Sequence, residues 1–389
     1  MALLLSSWRL SLPAHWDCTL LHSLHRWCSE QENPPEITFY GSLAQVNSSG
    51  RMSSALARSS LESARKYVRT LHELGFSFRY VFNSPNVDLH FADKLSFVID
   101  TLSIADASGI ARLTVTRKEH LRLARSLRSP VDVSVSTIAA VADPEGILEF
   151  SRLGANRICL HHDVNRNFSL LASCVQTARD AGVTLELLAN ENCVPRCAIR
   201  QQHYAMLSSQ SSIDTFQVPC WIEKLERPEL LLGASWITPE GIAFYRALGI
   251  TDFKLSGRDK PASWLPVVMK SYLEGAYAGN LCRLLGTTPQ PIIGYADIVA
   301  DDLLFLSTSA LRNFYHNLQS TSNSQDYYCR ITRQLFEQQD LRFSPFAGEY
   351  AIKDGLVRLA TQGPYLKAMQ FFAKETEALQ LWRGNPPGQ

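Results

Sequence analysis

Three cysteines in the middle of the chain are the residues whose types and spacing point most clearly to chemistry. Cys193 and Cys197 follow the segment LELLANEN, which begins as a buried type of strand and turns polar, and Cys220 follows the next loop. The chain opens with MALLLSSWRL, an apolar run too short for a signal peptide, so we expect a cytoplasmic protein with reduced thiols. Thiols just past a strand then indicate a metal or iron–sulfur site more than a disulfide.

The spacing of these thiols narrows the kind of metal site. Cys193 and Cys197 form a C-x3-C pair, whereas zinc ribbons use paired C-x2-C knuckles. The usual radical-SAM motif would need a third cysteine at position 200, where Arg200 stands. Irregularly spaced thiolates drawn from loops suit an iron–sulfur cluster. The alternative is that Cys193, Cys197 and Cys220 are three unconnected buried cysteines, since free cysteine is a common core residue.

The composition sets bounds on the partners. The chain has 389 residues, is 46% hydrophobic and carries a formal net charge of +1. The near-neutral charge argues against a nucleic-acid partner, because phosphate contacts demand a basic surface. No stretch is long and apolar enough to span a bilayer, so we expect no membrane partner. A chain of this length can bury one large core or two smaller ones.

Strand-like and helix-like segments alternate through the first two thirds of the chain. This alternation predicts a parallel sheet, and eight strands favour a closed, TIM-barrel-like β/α barrel over an open doubly wound sheet. The predicted strands are Leu3–Trp8, Glu36–Tyr40, Ser77–Phe82, Arg112–Thr116, Val131–Ser136, Arg157–Leu160, Thr184–Ala189 and Asp252–Leu255.

The segments between the strands have the boundary residues of helices. In DPEGILEFSRLG, Asp143 is the expected N-cap, Pro144 the first helical residue and Gly154 the stop. The segments LESARKYVRTLHELG and FSLLASCVQTARDAG also end on glycine, and TPEGIAFYRALG has a Thr-Pro start and a glycine end. Amphipathic helices of this length pack against the outside of a barrel.

The character of the chain changes near residue 286, which predicts two domains. Residues 1–285 are expected to form the β/α-barrel-like domain with the cysteine site, including a further helix within 259–285. Residues 286–389 show helical patterns such as DDLLFLSTSALRNFYHNL and GPYLKAMQFFAKETEALQLW. We therefore predict a mainly helical C-terminal region that ends in a disordered tail, GNPPGQ.

Polar residues at the carboxyl ends of the strands are the candidates for substrate chemistry, since barrel sites lie there. Lys254 and Arg258 flank the end of the last strand, and such a cation pair suits a carboxylate-bearing small molecule. Glu186 shares strand parity with Asn190, so both point to one side. If that side is the barrel interior, Arg157 or Arg258 would be the partner of Glu186.

Further polar residues follow other strands. Asn83 and Ser136 come directly after or at the end of two predicted strands, and Arg51, in the segment SSGR, follows an early strand and is a candidate for anion binding. For all these residues the alternative is a structural ion pair or a solvated loop.

Three segments of the chain resemble the collagenase-like peptidase family of unknown catalytic type, peptidase family 32. They are VDVSVSTIAAVADPEGILEFSRLGANRICL, LELLANENC and SWITPEGIAFYRALGITDFKLSGRDKPASWLPVVMKSY. The last segment is the most specific, being similar to the family block that ends in Lys-Ile-Glu-Gly-Arg. Together the segments cover roughly residues 77–280.

The resemblance implies a β/α-barrel-like fold and, as in some members of the family, a 4Fe-4S cluster on four cysteines. Some members were named proteases, and others look like oxygen-independent hydroxylases with prephenate as the implied oxygen donor. Carried over by position, the cluster ligands are Cys193, Cys197 and Cys220. The residues that match recurrent polar positions of the family are Ser136, Arg157, Glu186, Lys254 and Arg258.

The chain departs from the family pattern at several positions. Asn190 replaces a histidine, and Ser256 replaces the acidic residue of the Glu-Gly-Arg block. The resemblance leaves the fourth cluster ligand open between a distant residue and an iron with an open site. The candidates for a distant ligand are Cys18, Cys159, Cys282 and His203.

Three functions follow from these residues. The first is an iron–sulfur tailoring enzyme that hydroxylates a small molecule or peptide-like substrate without oxygen, in which Arg258, Lys254, Glu186 and Asn190 are the catalytic candidates. The second is a peptidase, for which the chain has no H-E-x-x-H or G-x-S-x-G motif. The third is a non-catalytic iron–sulfur scaffold that works with a protein partner subunit.

Overall fold

The fold contains a closed barrel of eight parallel strands and two separate two-stranded antiparallel sheets. The structure, a computed structural model, describes residues 7–52, 56, 58–209, 214–260, 263–286 and 303–373. The barrel closes because β1 pairs in parallel with both β2 and β8. The barrel strands are β1 Arg9–Pro13, β2 Glu36–Gly41, β3 Ser77–Phe82, β4 Ala111–Val115, β5 Val131–Val135, β6 Arg157–Cys159, β7 Thr184–Leu188 and β8 Asp252–Lys254.

Helices connect successive barrel strands, as the β/α pattern predicts. None of the helices in the described part of the chain combines the length and hydropathy that a membrane-spanning helix needs. Their bounds are α1 Cys18–Ser29, α2 Leu61–Glu73, α3 Phe91–Ser96, α4 Lys118–Arg125, α5 Pro144–Arg152, α6 Phe168–Asp180, α7 Arg200–Leu207, α8 Gln217–Glu226, α9 Glu229–Gly233, α10 Gly241–Ala247, α11 Trp264–Glu274, α12 Leu281–Leu285, α13 Phe314–Gln319, α14 Ser324–Glu337 and α15 Pro364–Ala373.

The prediction of a closed, TIM-barrel-like β/α barrel is confirmed, with one strand displaced. Seven predicted strands agree with the observed ones to within a residue at each end. The first barrel strand is Arg9–Pro13, whereas most of the predicted strand Leu3–Trp8 lies outside the described residues. The apolar run LLL is the stronger local signal, and Pro13 weakens the signal of RLSLP because proline cannot donate to a ladder. Pairing with β2 and β8 decides the position.

The lining of the barrel is polar and charged. Residues paired in register share one face of the sheet, and alternate residues of each strand face opposite ways. Ser11 pairs with Thr38 and Lys254, and Glu186 pairs with Cys159 and Asp252. The residues between them, such as Leu10, Phe39, Leu187 and Phe253, are fully buried on the outer face. The lining therefore comprises Ser11, Thr38, Tyr40, Arg79, Thr114, Ser134, Arg157, Cys159, Glu186 and Lys254.

The start of α5 confirms the predicted helix boundary. Asp143 is extended and its carboxylate accepts the backbone N–H of Gly146 at 2.8 Å, with Pro144 as the first helical residue. We expect Asp143→Ala to lower the free energy of unfolding by about 1 kcal/mol, because a donor at the helix start loses its acceptor. Thermal melts would measure this, with Asp143→Asn as the control that keeps the cap and stays close to wild type.

The chain divides into two compact units, and the division differs from the predicted boundary at residue 285. The first unit comprises residues 1–189, 204–212 and 245–273 and contains the barrel. The second comprises residues 190–203, 213–244 and 274–389. Besides residues 274–285, it therefore takes two internal segments, 190–203 and 213–244, from the stretch expected to belong to the barrel domain. All three predicted cluster cysteines are in these two segments. Long-range packing decides which unit the cysteine segments belong to, and local sequence patterns carry no information on such packing.

The second unit is built of helices, as expected for the C-terminal region, but it also contains strands. Its strands are β9 Leu304–Leu306, β10 Leu341–Phe343, β11 Gly348–Lys353 and β12 Leu356–Gln362. The segment DDLLFL was expected to be helical and instead contains β9, because a short apolar run suits either structure. The β11–β12 hairpin turns at Asp354 and Gly355, both with positive φ, which the Asp-Gly pair favours. The expected disordered tail lies outside the described residues.

Candidate functional site

Two cations gather around one aromatic ring at the carboxyl end of the barrel strands. Lys254, the last residue of β8, places its Nζ 4.1 Å from the centroid of the Tyr40 ring. The guanidinium of Arg258 lies 5.7 Å from the same centroid, and its Nη1 donates to Ser42 Oγ at 2.8 Å. The hydroxyl of Tyr40 donates to the Leu255 carbonyl at 2.6 Å, which fixes the ring. The first unit therefore presents a cationic mouth.

The electrostatics of this mouth favour an anionic ligand. Among the described residues, Lys254 makes neither an ion pair nor a hydrogen bond. Burial lowers the pKa of Lys254, and it lowers the pKa of Arg258 to about 10. Arg51 adds a third cation, which is partly neutralised because its Nε lies 3.9 Å from the Asp259 carboxylate. Like-charged groups brought together out of water are stabilised when a bound carboxylate neutralises them.

Glu186 is the buried carboxylate of the barrel lining. Its side chain is 1% exposed, and Oε1 accepts the Ser11 hydroxyl at 2.6 Å. The other oxygen, Oε2, is buried and accepts no hydrogen bond from the described residues. Burial alone raises the pKa of Glu186, but Lys254, Arg157 and Arg79 outweigh it and lower that pKa below its usual value. Glu186 is therefore ionised at neutral pH.

The structure brings together only some of the sequence-predicted barrel residues. Arg157 is the first residue of β6 and its Nη2 lies 3.0 Å from the Asp252 carboxylate, at the first residue of β8, so it is away from the mouth. Asn83 and Ser136 are at the mouth but hydrogen-bond each other at 3.2 Å. Asn83 also accepts the Gly50 N–H at 2.9 Å. These contacts give Asn83 and Ser136 a structural role in tying mouth loops together.

Three residues of the barrel site were missed from the sequence. Tyr40 is the next-to-last residue of β2 and Ser42 is the first residue after that strand. The shared parity of Thr38 and Tyr40 along β2 is a signal that was available in the sequence. Ser11 was missed because the first strand was placed too early in the chain.

The predicted thiol site lies in the second unit. Cys193, Cys197 and Cys220 are partly buried, and all nine cysteines of the chain are thiols rather than disulfides. Cys193 N donates to Glu191 Oε1 at 3.0 Å. Burial and then Glu191 raise the pKa of the Cys193 thiol, with a smaller effect from Cys220, while Arg200 and Lys224 act in the opposite direction. Cys193 and Cys220 are thus close enough to interact electrostatically.

The remaining predicted residues are spread over both units. Asn190 is buried in the second unit. Of the fourth-ligand candidates, Cys159 lines the barrel beside Glu186, and Cys18 starts α1 in the same unit. Cys282 is fully buried in α12 of the second unit. His203, also in that unit, places Nε2 3.0 Å from the Asp214 carboxylate.

The residues of the thiol site fit an iron–sulfur group in their chemistry. Three thiols come from two segments of one compact unit, and the buried cations Arg200 and Lys224 both act on Cys193. Buried cations beside thiols favour thiolates, the form that binds metal, and so act against burial and Glu191, which raise the pKa of Cys193. The same features suit an iron–sulfur cluster, whose thiolate ligands bring negative charge into the protein.

One known protein is similar in sequence to more than half of this chain. The chain is 25% identical over 238 residues to an uncharacterized protease of Methanocaldococcus jannaschii, which covers 59% of this chain and 70% of that protein. No protein-family model matches the chain.

Among solved structures, the chain is similar to a U32 peptidase, with a TM-score of 0.44 and 14% identity over 65% of this chain and 93% of that one. It is also similar to a citrate synthase, with a TM-score of 0.34 and 10% identity over 68% of this chain and 92% of that one. The sequence relative is named an uncharacterized protease, and kinship with the iron–sulfur hydroxylases of peptidase family 32 stays a prediction.

Proposed function

We propose that this chain is an iron–sulfur enzyme that hydroxylates a small-molecule or peptide-like substrate without molecular oxygen. The observation that supports it best is that one chain combines a cationic barrel mouth with three thiols beside buried cations. The mouth suits a carboxylate-bearing oxygen donor such as prephenate, and the thiols suit a 4Fe-4S cluster. The cluster, the donor and the reaction are all parts of the proposal.

In this proposal the barrel residues bind and orient the donor. Arg258, held by Ser42, would donate paired hydrogen bonds to a carboxylate, and Lys254 would add a charge-assisted hydrogen bond. Glu186, ionised in the lining and free to accept at Oε2, would hold a proton during the reaction. A cluster on Cys193, Cys197 and Cys220 would supply electron transfer or Lewis-acid chemistry at an open iron.

A peptidase is the second candidate, because the sequence relative is named a protease. A non-catalytic iron–sulfur scaffold is the third, because Asn190 and Ser256 depart from the family pattern. The three proposed functions differ in what the protein does to prephenate and to peptides. Assays on one anaerobic preparation can therefore distinguish them.

The first experiment is an anaerobic purification followed by iron and sulfide analysis and a visible spectrum. We expect stoichiometric iron and sulfide in the wild type and their loss in Cys193→Ala, because one of the three proposed thiolate ligands is removed. Cys329→Ala is the matched control, since Cys329 is a partly buried thiol outside the proposed site, and it should keep its iron.

The loaded protein is then incubated under nitrogen with prephenate plus a pool of small-molecule and peptide acceptors and, separately, with a mixed peptide library alone. Consumption of prephenate that needs the cluster supports the hydroxylase. Cleaved peptides without iron would support the peptidase. A loaded protein that leaves both untouched would favour the scaffold, and a protein that stays free of iron after anaerobic reconstitution would refute the cluster.

A further inference from the structure

Lys224 is a buried cation of the second unit that pairs with no carboxylate in the part of the chain that the structure describes. Its side chain is 2% exposed. Its Nζ lies 5.4 Å from the centroid of the Trp221 ring, and it forms no ion pair or hydrogen bond with any described residue. Burying an ammonium costs more free energy than a cation–π contact returns. The surroundings of Lys224 are therefore suited to an anion that the side chains themselves do not supply.

Lys224 lies near two of the three thiols. Lys224 and Cys220 are four residues apart on α8, so their side chains are neighbours on one face of the helix. Lys224 also acts electrostatically on Cys193. Two of the three thiols thus lie within the field of this ammonium.

Arg200 is a second buried cation at the same place. It is 4% exposed, and its Nη2 donates to the Val194 carbonyl at 2.6 Å, inside the loop between Cys193 and Cys197. The nearby carboxylate of Glu191 accepts the backbone N–H groups of Asn192 and Cys193. Arg200 therefore braces the loop and contributes a second positive charge beside the thiols.

We propose that Lys224 and Arg200 neutralise a negatively charged, thiolate-bound metal group, and that Lys224 sets the reduction potential of that group. The inference rests on the proposed iron–sulfur site and deepens it. Reduction adds one electron and so one negative charge to the group. A fixed cation nearby stabilises the reduced state more than the oxidised one and raises the potential. Lys224 is then a tuning residue that touches neither substrate nor donor.

The test compares the potential of the wild type with that of Lys224→Met, Lys224→Gln and Lys224→Arg. All proteins are purified anaerobically, analysed for iron, and titrated with dithionite while the spectrum is recorded. We expect the two neutral variants to have a more negative midpoint potential or to retain less than half of the iron. Lys224→Arg, which keeps the charge, should resemble the wild type. Lys353→Met, at an exposed position of the second unit, should change nothing.

Each outcome decides between the proposals. Iron-loaded neutral variants with the wild-type potential would overturn the role of Lys224 while leaving the cluster intact. A wild type without iron would refute the cluster itself, and the tuning role with it. Thermal melts of the metal-free proteins separate misfolding from loss of iron: a neutral variant that melts like the wild type but loses its iron supports the proposal. If both neutral variants misfold, a shifted potential in Lys224→Arg overturns it.

Discussion

Replacing Glu186 by leucine is expected to lower the free energy of unfolding by about 3–5 kcal/mol, because it leaves buried cations of the barrel lining without their carboxylate. Lys254, Arg157 and Arg79 all act on Glu186, and Arg79 and Arg157 are themselves buried. Ser11 would also lose its acceptor at 2.6 Å. Urea titrations followed by circular dichroism would measure the loss.

Two variants control this prediction. Glu186→Gln keeps the shape of the side chain and an acceptor for Ser11 but removes the charge. Its free energy of unfolding should therefore lie between those of Glu186→Leu and the wild type. Glu30→Leu removes one negative charge at an exposed position and should stay within about 0.5 kcal/mol of the wild type. If Glu186→Leu were as stable as Glu30→Leu, the lining would not depend on this carboxylate.

The pH dependence of stability gives a second readout of Glu186. Its folded pKa lies below the usual value of 4.5, so its contribution is complete above about pH 4.5 and is lost as the pH falls towards the folded pKa. We expect the wild type to lose stability more steeply than Glu186→Gln in that range. Parallel slopes in the two proteins would contradict the lowered pKa.

For the proposed binding of prephenate, replacing Arg258 by methionine is expected to weaken the affinity by about 10- to 100-fold. A charge-assisted hydrogen bond contributes about 1.5–3 kcal/mol, and each 1.4 kcal/mol corresponds to a tenfold change in affinity. Lys254→Met should have a similar effect, because its ammonium lies beside the same Tyr40 ring as Arg258 and would lose its charge-assisted hydrogen bond to the donor. Isothermal titration calorimetry under nitrogen would measure the affinities.

Two control variants test whether the effect depends on where the arginine lies and on the planar shape of its guanidinium group. Arg117 follows β4 at the same end of the barrel, but its Nη1 donates to the Pro85 carbonyl at 3.0 Å. Arg117→Met should therefore bind prephenate as the wild type does. Arg258→Lys keeps the charge but loses the planar fork, so its affinity should be intermediate. An unchanged affinity in Arg258→Met would remove Arg258 from the site.

Much of the barrel could be predicted because its determinants are local. Strand alternation, the Asp143-Pro144 start of α5 and the glycine stops are encoded within a few residues, and these elements agree with the structure. Lys254, Arg258 and Glu186 could be proposed as site residues because strand ends and strand parity follow from the same local pattern. The displaced first strand and the unexpected β9 show where short apolar runs mislead.

The sequence alone determined that the chain forms a β/α barrel, that cations follow its last strand, and that three thiols follow its seventh. Only the tertiary structure decided that Lys254 and Arg258 share the Tyr40 ring and that Arg157 pairs with Asp252 away from the mouth. It alone also decided that the thiols belong to a second unit. Periodicity reports which face a residue occupies within its element, whereas partners distant in sequence depend on how strands register and segments pack.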